Sequence, residues 1–452
     1  TGAQVGTIKA SPSSGDNAFS VNINLGVSAT KVIDIIANVK SGSNPGSWIA
    51  NIDATGTGSV TGSTVDADAL SLQTITIGSS VLTTAIGISP DNANVIAGTS
   101  MVKVGSFNFT AQYSGYTVDQ LAVKVPANAA TAVSSVVLKY PDAAGTMQTA
   151  TGNLSLSSSS QAHATSTFSG LTFYIPAGTT KSVDAYVNLS TIQNDGDSGK
   201  AVTVVLDKNE GFRATNSAGT ATTTFSGGDL TSSDTSGKGT LYVRKSIPTI
   251  SAVALDSSTL TQGANIPLAR VKLTADSAGE ISWDLLAFTV NKTTTVTFGA
   301  TTTMSLWSGG SQISGNFATT TATSSTSLTQ TADMWGVSST GGTLTFLPFS
   351  EQSIAAGGSA TYEVRGTISL PSTAGGYSVN TSIANAQTTA SSTATAAQVG
   401  ATFINGRTTA PSLIWSDKSA VASVHSTATS DWTDDYLLKS LPVTVGNLSV
   451  SQ

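Results

Sequence analysis

The chain has two histidines, and neither lies in a pattern that catalysis requires. His163 lies in a serine-rich stretch, and a Ser-His-Asp triad would need a nucleophile turn such as G-x-S-x-G, which the sequence lacks. His425 lies near Asp417 and Asp431, but residues at this spacing in sequence do not build a triad. The absence of cysteine excludes disulfide bonds, thiolate metal sites and cysteine nucleophiles. The sequence therefore predicts a protein that is not an enzyme.

One acidic loop has the side chains that a metal ion could use. Residues 194–199 read Asn-Asp-Gly-Asp-Ser-Gly, so that Asp195 and Asp197 stand at alternate positions around a glycine. Ca²⁺ prefers oxygen ligands in such a loop, but the bidentate glutamate that closes an EF-hand is missing. Two interpretations stay open, a calcium site at Asp195 and Asp197 or an ordinary polar turn. No other cofactor is predicted.

Aromatic residues are concentrated near the C-terminus, at Trp415, Trp432 and Tyr436. Tryptophan and tyrosine combine a large apolar ring with a polar group, so they suit both binding surfaces and contacts that are partly exposed to solvent. These three could form a platform that stacks on cell-surface glycans. Alternatively, the two tryptophans close one end of a domain or a contact between subunits, and this second interpretation is the one we expect.

The chain contains two copies of the segments that are expected to position these residues. Residues 104–115 reappear as residues 268–279, with the apolar, Thr-Ala and glycine positions in register. The match continues from residues 119–125 to residues 284–290 after one inserted loop residue. The repeated unit has the length of a domain, far longer than the period of a solenoid or a propeller. The sequence therefore predicts two copies of one domain.

Composition and periodicity both indicate strands. Charged residues make up 10% of the chain, and the abundance of threonine, valine and isoleucine favours strands whose exposed faces are β-branched. Apolar residues recur with period two, and a period of 3.6 is almost absent, although residues 118–121 could form one helical turn. Period two predicts that matched residues of the two copies face the core, namely Phe107 with Val271, Phe109 with Leu273, and Leu121 with Leu286.

The expected fold class is all-β. We expect tandem immunoglobulin-like β-sandwich domains at residues 80–246 and 247–452, behind a smaller N-terminal β module at residues 1–79. Within that module, residues 5–9, 19–25, 31–39 and 70–77 are predicted strands, separated by turns rich in Ser, Gly, Asn and Pro. The serine- and threonine-rich tracts at residues 155–169, 319–327 and 388–396 fit solvated loops, edge strands or attachment sites for O-linked sugars.

Residues 268–290 together with the tail at residues 415–420 and 430–442 resemble large surface proteins of ultra-small candidate-phyla bacteria. The resemblance implies a secreted, β-rich protein of tandem sandwiches, of a kind that forms surface layers or appendages. It brings no catalytic residues.

Charge and hydropathy restrict the partners. The net charge of -6 and the pI of about 4.9 disfavour nucleic acid and anionic membranes, which would require clustered Lys and Arg. No apolar run is long enough to span a bilayer, and the start at Thr1 without methionine suggests a mature, processed form.

The leading functional hypothesis is a structural subunit of an extracellular filament or surface layer, with copies of itself as partners. Copies would be joined by donation of a terminal strand, most simply residues 3–11 with Val5 and Ile8. The strand at residues 443–450, with Val443 and Val445, is the alternative donor, and residues 3–11 could instead pair within their own domain. The competing hypothesis is a cell-surface adhesin or glycan-binding module.

Overall fold

The computed structural model describes residues 4–10, 13, 15–40, 43–156, 162–319, 334–389, 411–426 and 429–451. The chain divides into two compact units, Thr1–Ser79 and Ser80–Gln452. In the described ranges the only helices are three 3₁₀ turns at Ala127–Ala132, Asp195–Asp197 and Thr301–Thr303, and all other regular elements are strands. The all-β class is thus confirmed. The part of the chain that the structure describes contains no helix long and apolar enough to cross a membrane.

The first unit contains a single two-stranded ribbon within its described residues. Strands β1 (Gly46–Thr57) and β2 (Thr64–Ile77) pair antiparallel, and the predicted strand at residues 70–77 lies within β2. The structure forms no strand at the predicted positions 5–9, 19–25 and 31–39, so these three strand predictions are wrong. A strand needs a partner for its backbone groups, and the described part of this unit supplies none beyond the ribbon.

The first copy of the repeat contains fourteen strands in its described residues. They are β3 (Val81–Ile86), β4 (Ala93–Ile96), β5 (Val102–Gln112), β6 (Tyr116–Pro126), β7 (Val133–Pro141), β8 (Met147–Gly152), β9 (His163–Ile175), β10 (Thr180–Leu189), β11 (Lys200–Val202), β12 (Val205–Leu206), β13 (Arg213–Asn216), β14 (Ala221–Thr222), β15 (Leu230–Thr231) and β16 (Leu241–Arg244). One sheet has the order β3-β5-β10-β7-β8, and the facing sheet has the order β14-β13-β6-β12-β15 with β9 also paired to β6. Strand β16 lies between β11 and β4.

The described residues of the second copy also form fourteen strands. They are β17 (Thr249–Ala252), β18 (Gly263–Thr274), β19 (Ile281–Lys292), β20 (Thr297–Phe298), β21 (Ser305–Ser308), β22 (Ser311–Ile313), β23 (Gly315–Thr319), β24 (Gly341–Pro348), β25 (Gln352–Ile354), β26 (Ser359–Ser369), β27 (Gly376–Ile383), β28 (Leu413–Ser416), β29 (Trp432–Thr433) and β30 (Val443–Ser451). Its first sheet, β17-β18-β26-β21-β22, repeats the order of the first copy. Its second sheet is built around β19, which pairs with β24, β25, β27 and β28.

The two copies also share strand register. Thr110 of β5 lies opposite Thr180 of β10, and Thr274, the counterpart of Thr110, lies opposite Ser359 of β26. The six matched apolar residues are each 0% exposed, as the alternation predicts: Phe107, Phe109, Leu121, Val271, Leu273 and Leu286. Residues 118–121 belong to strand β6, so the expectation of a helical turn there is wrong. The strands of each copy enclose a hydrophobic core of their own.

Strand β19 is buried on both faces, which a simple sandwich does not require. Trp283 and Leu286 face the main core of the second copy. On the opposite face, Leu285 and Ala287 form a small second core with Ile414 and Trp432. The C-terminal segment therefore covers the outer face of this sheet.

Candidate functional site

The C-terminal segment 411–442, called here the C-terminal cover, brings together most of the buried charges of the second copy. Strand β28 pairs with the N-terminal half of β19, and β29 pairs with β28. The Trp415 ring enters the main core and its indole N–H donates to the carbonyl of Asp434 at 2.9 Å. The strand pairing and this hydrogen bond fix the cover against β19. Several charged side chains of the cover are buried at this contact.

His425 is held between two carboxylates. Its Nδ1 lies 3.0 Å from Oδ2 of Asp431, and its Nε2 lies 2.9 Å from Oε2 of Glu351. A ring nitrogen that carries a hydrogen can donate it to the carboxylate beside it. The ring also stacks on Trp432 at 5.8 Å, and its side chain is 5% exposed. The histidine therefore connects the cover to Glu351, the residue directly before β25.

Two further contacts hold Glu351 in place. Lys418 Nζ lies 2.8 Å from Oε1, and the Ser282 hydroxyl donates to Oε2 at 2.9 Å. Burial alone would raise the pKa of Glu351, but the hydrogen bonds from Lys418, His425 and Ser282 outweigh it and lower the pKa. Glu351 is thus held as an anion that joins the cover to strand β19.

Asp284 of β19 lies beside this group, and no described cation forms a salt bridge with it. It is 7% exposed, and burial together with the negative charge of Glu351 raises the pKa of Asp284 to about 7. In the first copy the matching residue, Asp119, accepts hydrogen bonds from Arg213 at 2.8 Å. The position that matches Arg213 in the second copy is occupied by Ile414, which pairs with Leu285.

A second group of charges joins the cover to the first copy. Arg244, at the end of β16, is 4% exposed, and its guanidinium lies 5.7 Å from the centre of the Trp415 ring. Its Nη1 donates to the Ser198 hydroxyl at 3.0 Å, and that hydroxyl donates to Oδ2 of Asp417 at 2.8 Å. Burial lowers the pKa of Arg244, against the opposing effect of three aspartates: Asp417, Asp434 and Asp431. Arg244 of the first copy is therefore buried against the cover of the second copy.

Tyr436 extends this junction. Its ring meets Tyr242 of β16 edge to face, with ring centres 5.5 Å apart. The amide of Asn94 donates to the carbonyl of Tyr436 at 2.8 Å, and Lys245 Nζ donates to the carbonyl of Lys418 at the same distance. Burial, and then the neighbouring Tyr436, raise the pKa of Tyr242. The junction is thus both packed and hydrogen-bonded.

The Ser416 hydroxyl and the Asp431 carboxylate belong to one hydrogen-bonded group within the cover. The Ser416 hydroxyl donates to Asp431 at 2.8 Å, whereas an activated serine would donate to a histidine. The backbone N–H of Ala420 donates to the same carboxylate oxygen at 3.3 Å. Asp431 thus contacts His425, the Ser416 hydroxyl and the backbone of Ala420. These contacts hold separate parts of the cover together.

The aromatic residues highlighted by the sequence all lie at this site. Trp415 is 0% exposed and Trp432 is 1% exposed, so neither ring is open to stacking on a sugar. The glycan-platform interpretation is therefore wrong for these two residues, which instead pack in the cores of the second copy. Tyr436 is half-buried against the first copy.

The acidic loop at residues 194–199 forms a 3₁₀ turn. The carboxylate of Asp197 accepts a hydrogen bond from the Thr131 hydroxyl at 3.3 Å, and Asn194 Oδ1 accepts one from the N–H of Gly196 at 2.9 Å. The side chain of Asp195 lies outside the described residues. Where the structure describes the side chains, it brings no three His, Cys, Asp or Glu residues into an arrangement that could hold a metal ion.

The two predicted donor segments have different environments. Val5 is 47% exposed and Ile8 is 83% exposed, in residues that form no strand. Val443 and Val445 belong to β30, which pairs with β27 of the same chain along its whole length. One edge of β30 is therefore paired within its own chain and the Val445 side chain is buried, while donation of this strand stays a prediction. Most of the serine- and threonine-rich tracts lie outside the described residues.

Sequence reasoning missed three residues of the site. Glu351, Asp284 and Arg244 are separated by tens of residues from the cover and lie in no motif. One signal was present, because Asp284 and Asp119 occupy the same position of the repeat while only Asp119 has an arginine across from it. His163, the other histidine, begins strand β9 opposite Pro126, far in sequence from the site.

No family model matches the chain, and no curated protein matches it. Several solved structures are similar at low identity. The C-terminal domain of the antigen I/II polypeptide BspA of Streptococcus agalactiae is 10% identical, with a TM-score of 0.17 over 67% of this chain and 94% of that domain. A partial N-terminal region of the enterococcal surface protein is 8% identical, with a TM-score of 0.19 over 67% of this chain and 88% of that one. Likenesses of this size assign neither a family nor a function to the chain.

Proposed function

We propose that this protein is a structural subunit of an extracellular assembly, a filament or a surface layer, in which copies join through the first unit. The two sandwiches form the body of the subunit. The first unit, Thr1–Ser79, is the part that makes the contact between copies.

The junction holds the two sandwiches rigidly together. Arg244 is enclosed by the cover, and Tyr242 packs on Tyr436, so bending between the two sandwiches would break buried contacts. Truncating one side of a buried charge pair costs about 3–5 kcal/mol, because the other charge is left without a partner. A spacer or filament subunit benefits from such stiffness, since contacts between copies then repeat in one geometry.

The observation that carries the proposal is the lack of a core in the first unit. None of its residues whose burial is described is buried. Large apolar side chains are exposed throughout, including Val27, Val32 and Ile36. Apolar patches of this extent mark interaction surfaces in soluble proteins. A second molecule that covers them would supply the core that the unit lacks.

An extracellular site is supported by composition and by resemblance. The chain has no cysteine to oxidise and few charges, and its solubility rests on hydroxyl groups. The second copy and the tail resemble surface proteins of ultra-small bacteria. The competing adhesin hypothesis loses its proposed sugar platform, since Trp415 and Trp432 are buried. Specific binding to an array of cell-surface glycans would restore it.

Negative-stain microscopy of the full chain over a range of concentrations tests the proposal. We expect ordered polymers or sheets whose repeat distance is constant from one preparation to the next. Separate particles at every concentration would contradict it. Amorphous aggregates without a repeat would also count against a specific contact, because exposed apolar surface alone produces those.

A further inference from the structure

We propose that residues 19–25 of one copy add as a third strand to the β1–β2 ribbon of a second copy. This inference rests on the proposed function and names the segment and the surface that make the contact. It differs from donation by residues 3–11, because the pattern of exposed side chains favours the later segment.

The donor is an amphipathic segment that joins no sheet in the described part of its own chain. Residues 19–25 read Phe-Ser-Val-Asn-Ile-Asn-Leu, a strict alternation of apolar and small polar residues with no charge. In an extended conformation Phe19, Val21, Ile23 and Leu25 would share one face. Phe19 is 53%, Val21 47% and Leu25 57% exposed, and the segment forms no strand. Ile23 is half-buried, and the other three apolar side chains are exposed.

The acceptor is a ribbon with an open edge and an apolar face. Within the described residues β1 pairs with β2 alone, so the outer edge of each strand is free to accept another. The cross-strand pairs Trp48 with Ile75, and Ile52 with Leu70, place large apolar side chains on the ribbon. Two strands alone are marginally stable in water, whereas a third strand with a shared hydrophobic face is the smallest stable sheet.

The ribbon and the residues around the donor segment carry net charges of opposite sign. The ribbon carries three aspartates and no lysine or arginine, at Asp53, Asp66 and Asp68. The donor itself is neutral, and residues 4–40 around it carry three lysines and two aspartates, for a net charge of +1. Lysines flanking a donated strand would thus lie near carboxylates of opposite sign, while two ribbons side by side would repel each other.

A second copy is the partner that these features fit. Each chain offers one donor segment and one open ribbon, and the described residues of a single chain do not pair them. A contact between two different surfaces of identical molecules continues from copy to copy unless its rotation closes a ring. The same contact therefore accounts for an open polymer without any further protein.

The test compares two double variants of the full chain by sedimentation velocity over a range of concentrations. Val21→Asn with Ile23→Asn removes the apolar face of the donor. Asn22→Ser with Asn24→Ser alters the opposite face of the same segment and is the matched control. We expect the first variant to associate at least about 100-fold more weakly than the natural chain, and the control to associate like it. The segment lies outside both sandwich cores, so melting of residues 80–452 should be unchanged in both.

The outcomes separate the two proposals. Association of the Val21→Asn, Ile23→Asn variant at natural strength would overturn the donor assignment and leave the proposed function standing. A natural chain that stays monomeric at every concentration would overturn both.

Isotope mixing then identifies the pairing. Labelled and unlabelled copies are mixed, and a carbodiimide joins lysines to carboxylates in direct contact. We expect links between a labelled and an unlabelled chain, from Lys9 or Lys31 to Asp66 or Asp68. Links confined to single chains would show that the donor pairs with its own ribbon, and the proposal would fail.

Discussion

Asp284→Asn should stabilise the second sandwich, and it should do so only above acidic pH. Asp284 lies on β19 beneath the C-terminal cover, where burial and the charge of Glu351 raise its pKa to about 7. Asparagine keeps the size of the side chain and cannot ionise. The change therefore removes an electrostatic cost and leaves the packing in place.

The sign follows from proton binding. Below the unfolded pKa of about 3.8, the carboxyl is neutral in both states and the substitution has little effect. Between that value and about 7, the unfolded chain ionises while the folded chain keeps its proton, so stability of the natural protein falls as pH rises. A difference of one pH unit between the folded and unfolded pKa corresponds to about 1.36 kcal/mol, which bounds the full effect at about 4 kcal/mol. Relaxation and water around the group reduce it, and we expect about 2 kcal/mol.

Calorimetric melting of the natural chain and the Asp284→Asn variant at pH 4 and pH 8 measures the gain in stability. A gain of about 2 kcal/mol raises Tm by roughly 4–8 °C for a domain of this size. The two sandwiches can unfold separately, so the transition that changes must first be assigned to the second copy. Asp119→Asn is the matched control, because Asp119 holds the same position of the repeat but is paired with Arg213. It should lower stability by about 0–1 kcal/mol at neutral pH.

A gain at pH 4 equal to the gain at pH 8 would refute the electrostatic explanation. Loss of stability at pH 8 would show that the ionised carboxylate contributes to the folded state, and that the pKa of Asp284 is not raised.

Three further outcomes are expected. Arg244→Met should lower the melting temperature and uncouple the two sandwiches, since buried aspartates lose their cation at a cost of about 3–5 kcal/mol; one unchanged calorimetric transition would contradict this. Phe109→Ala should cost about 3–5 kcal/mol in the first copy and Leu273→Ala about 2–5 kcal/mol in the second, measured by denaturant unfolding, because both are matched core residues; effects below about 1 kcal/mol would undermine the shared core. A calcium chelator should leave melting unchanged, because Asp197 is engaged by Thr131; a clear drop in Tm would establish a metal site there.

The core of the sandwiches could be predicted because it depends on local alternation. Phe107 and Val271 lie on strands whose apolar residues recur with period two, and the duplication provides a second, independent example of each strand. The same rule failed at residues 19–25 and 31–39. Alternation predicts that a segment can be a strand, but a partner strand must exist before it becomes one.

The charged site could not be predicted because its members meet only in the folded chain. His425 contacts Glu351 across 74 residues, and Arg244 approaches Asp417 through Ser198. No spacing rule connects such positions. The spacing of His425 and Asp431 is visible in the sequence, where it argues only against a triad, while the folded chain uses the pair to fasten a loop.

The divergence of the two copies explains why the second carries a buried acid at all. Both copies have a bulge at the same point of their matched strands, at Asp119 in β6 and at Asp284 in β19, where the strand register shifts by one residue. In the first copy the bulge is partly exposed, and Arg213 pairs with the acid. In the second copy Ile414 of the cover replaces that arginine and packs with Trp432 against the outer face of β19. Apolar contact thus took the place of an ion pair, and the carboxyl left behind holds its proton near neutral pH because the cover excludes water and Glu351 repels a second charge.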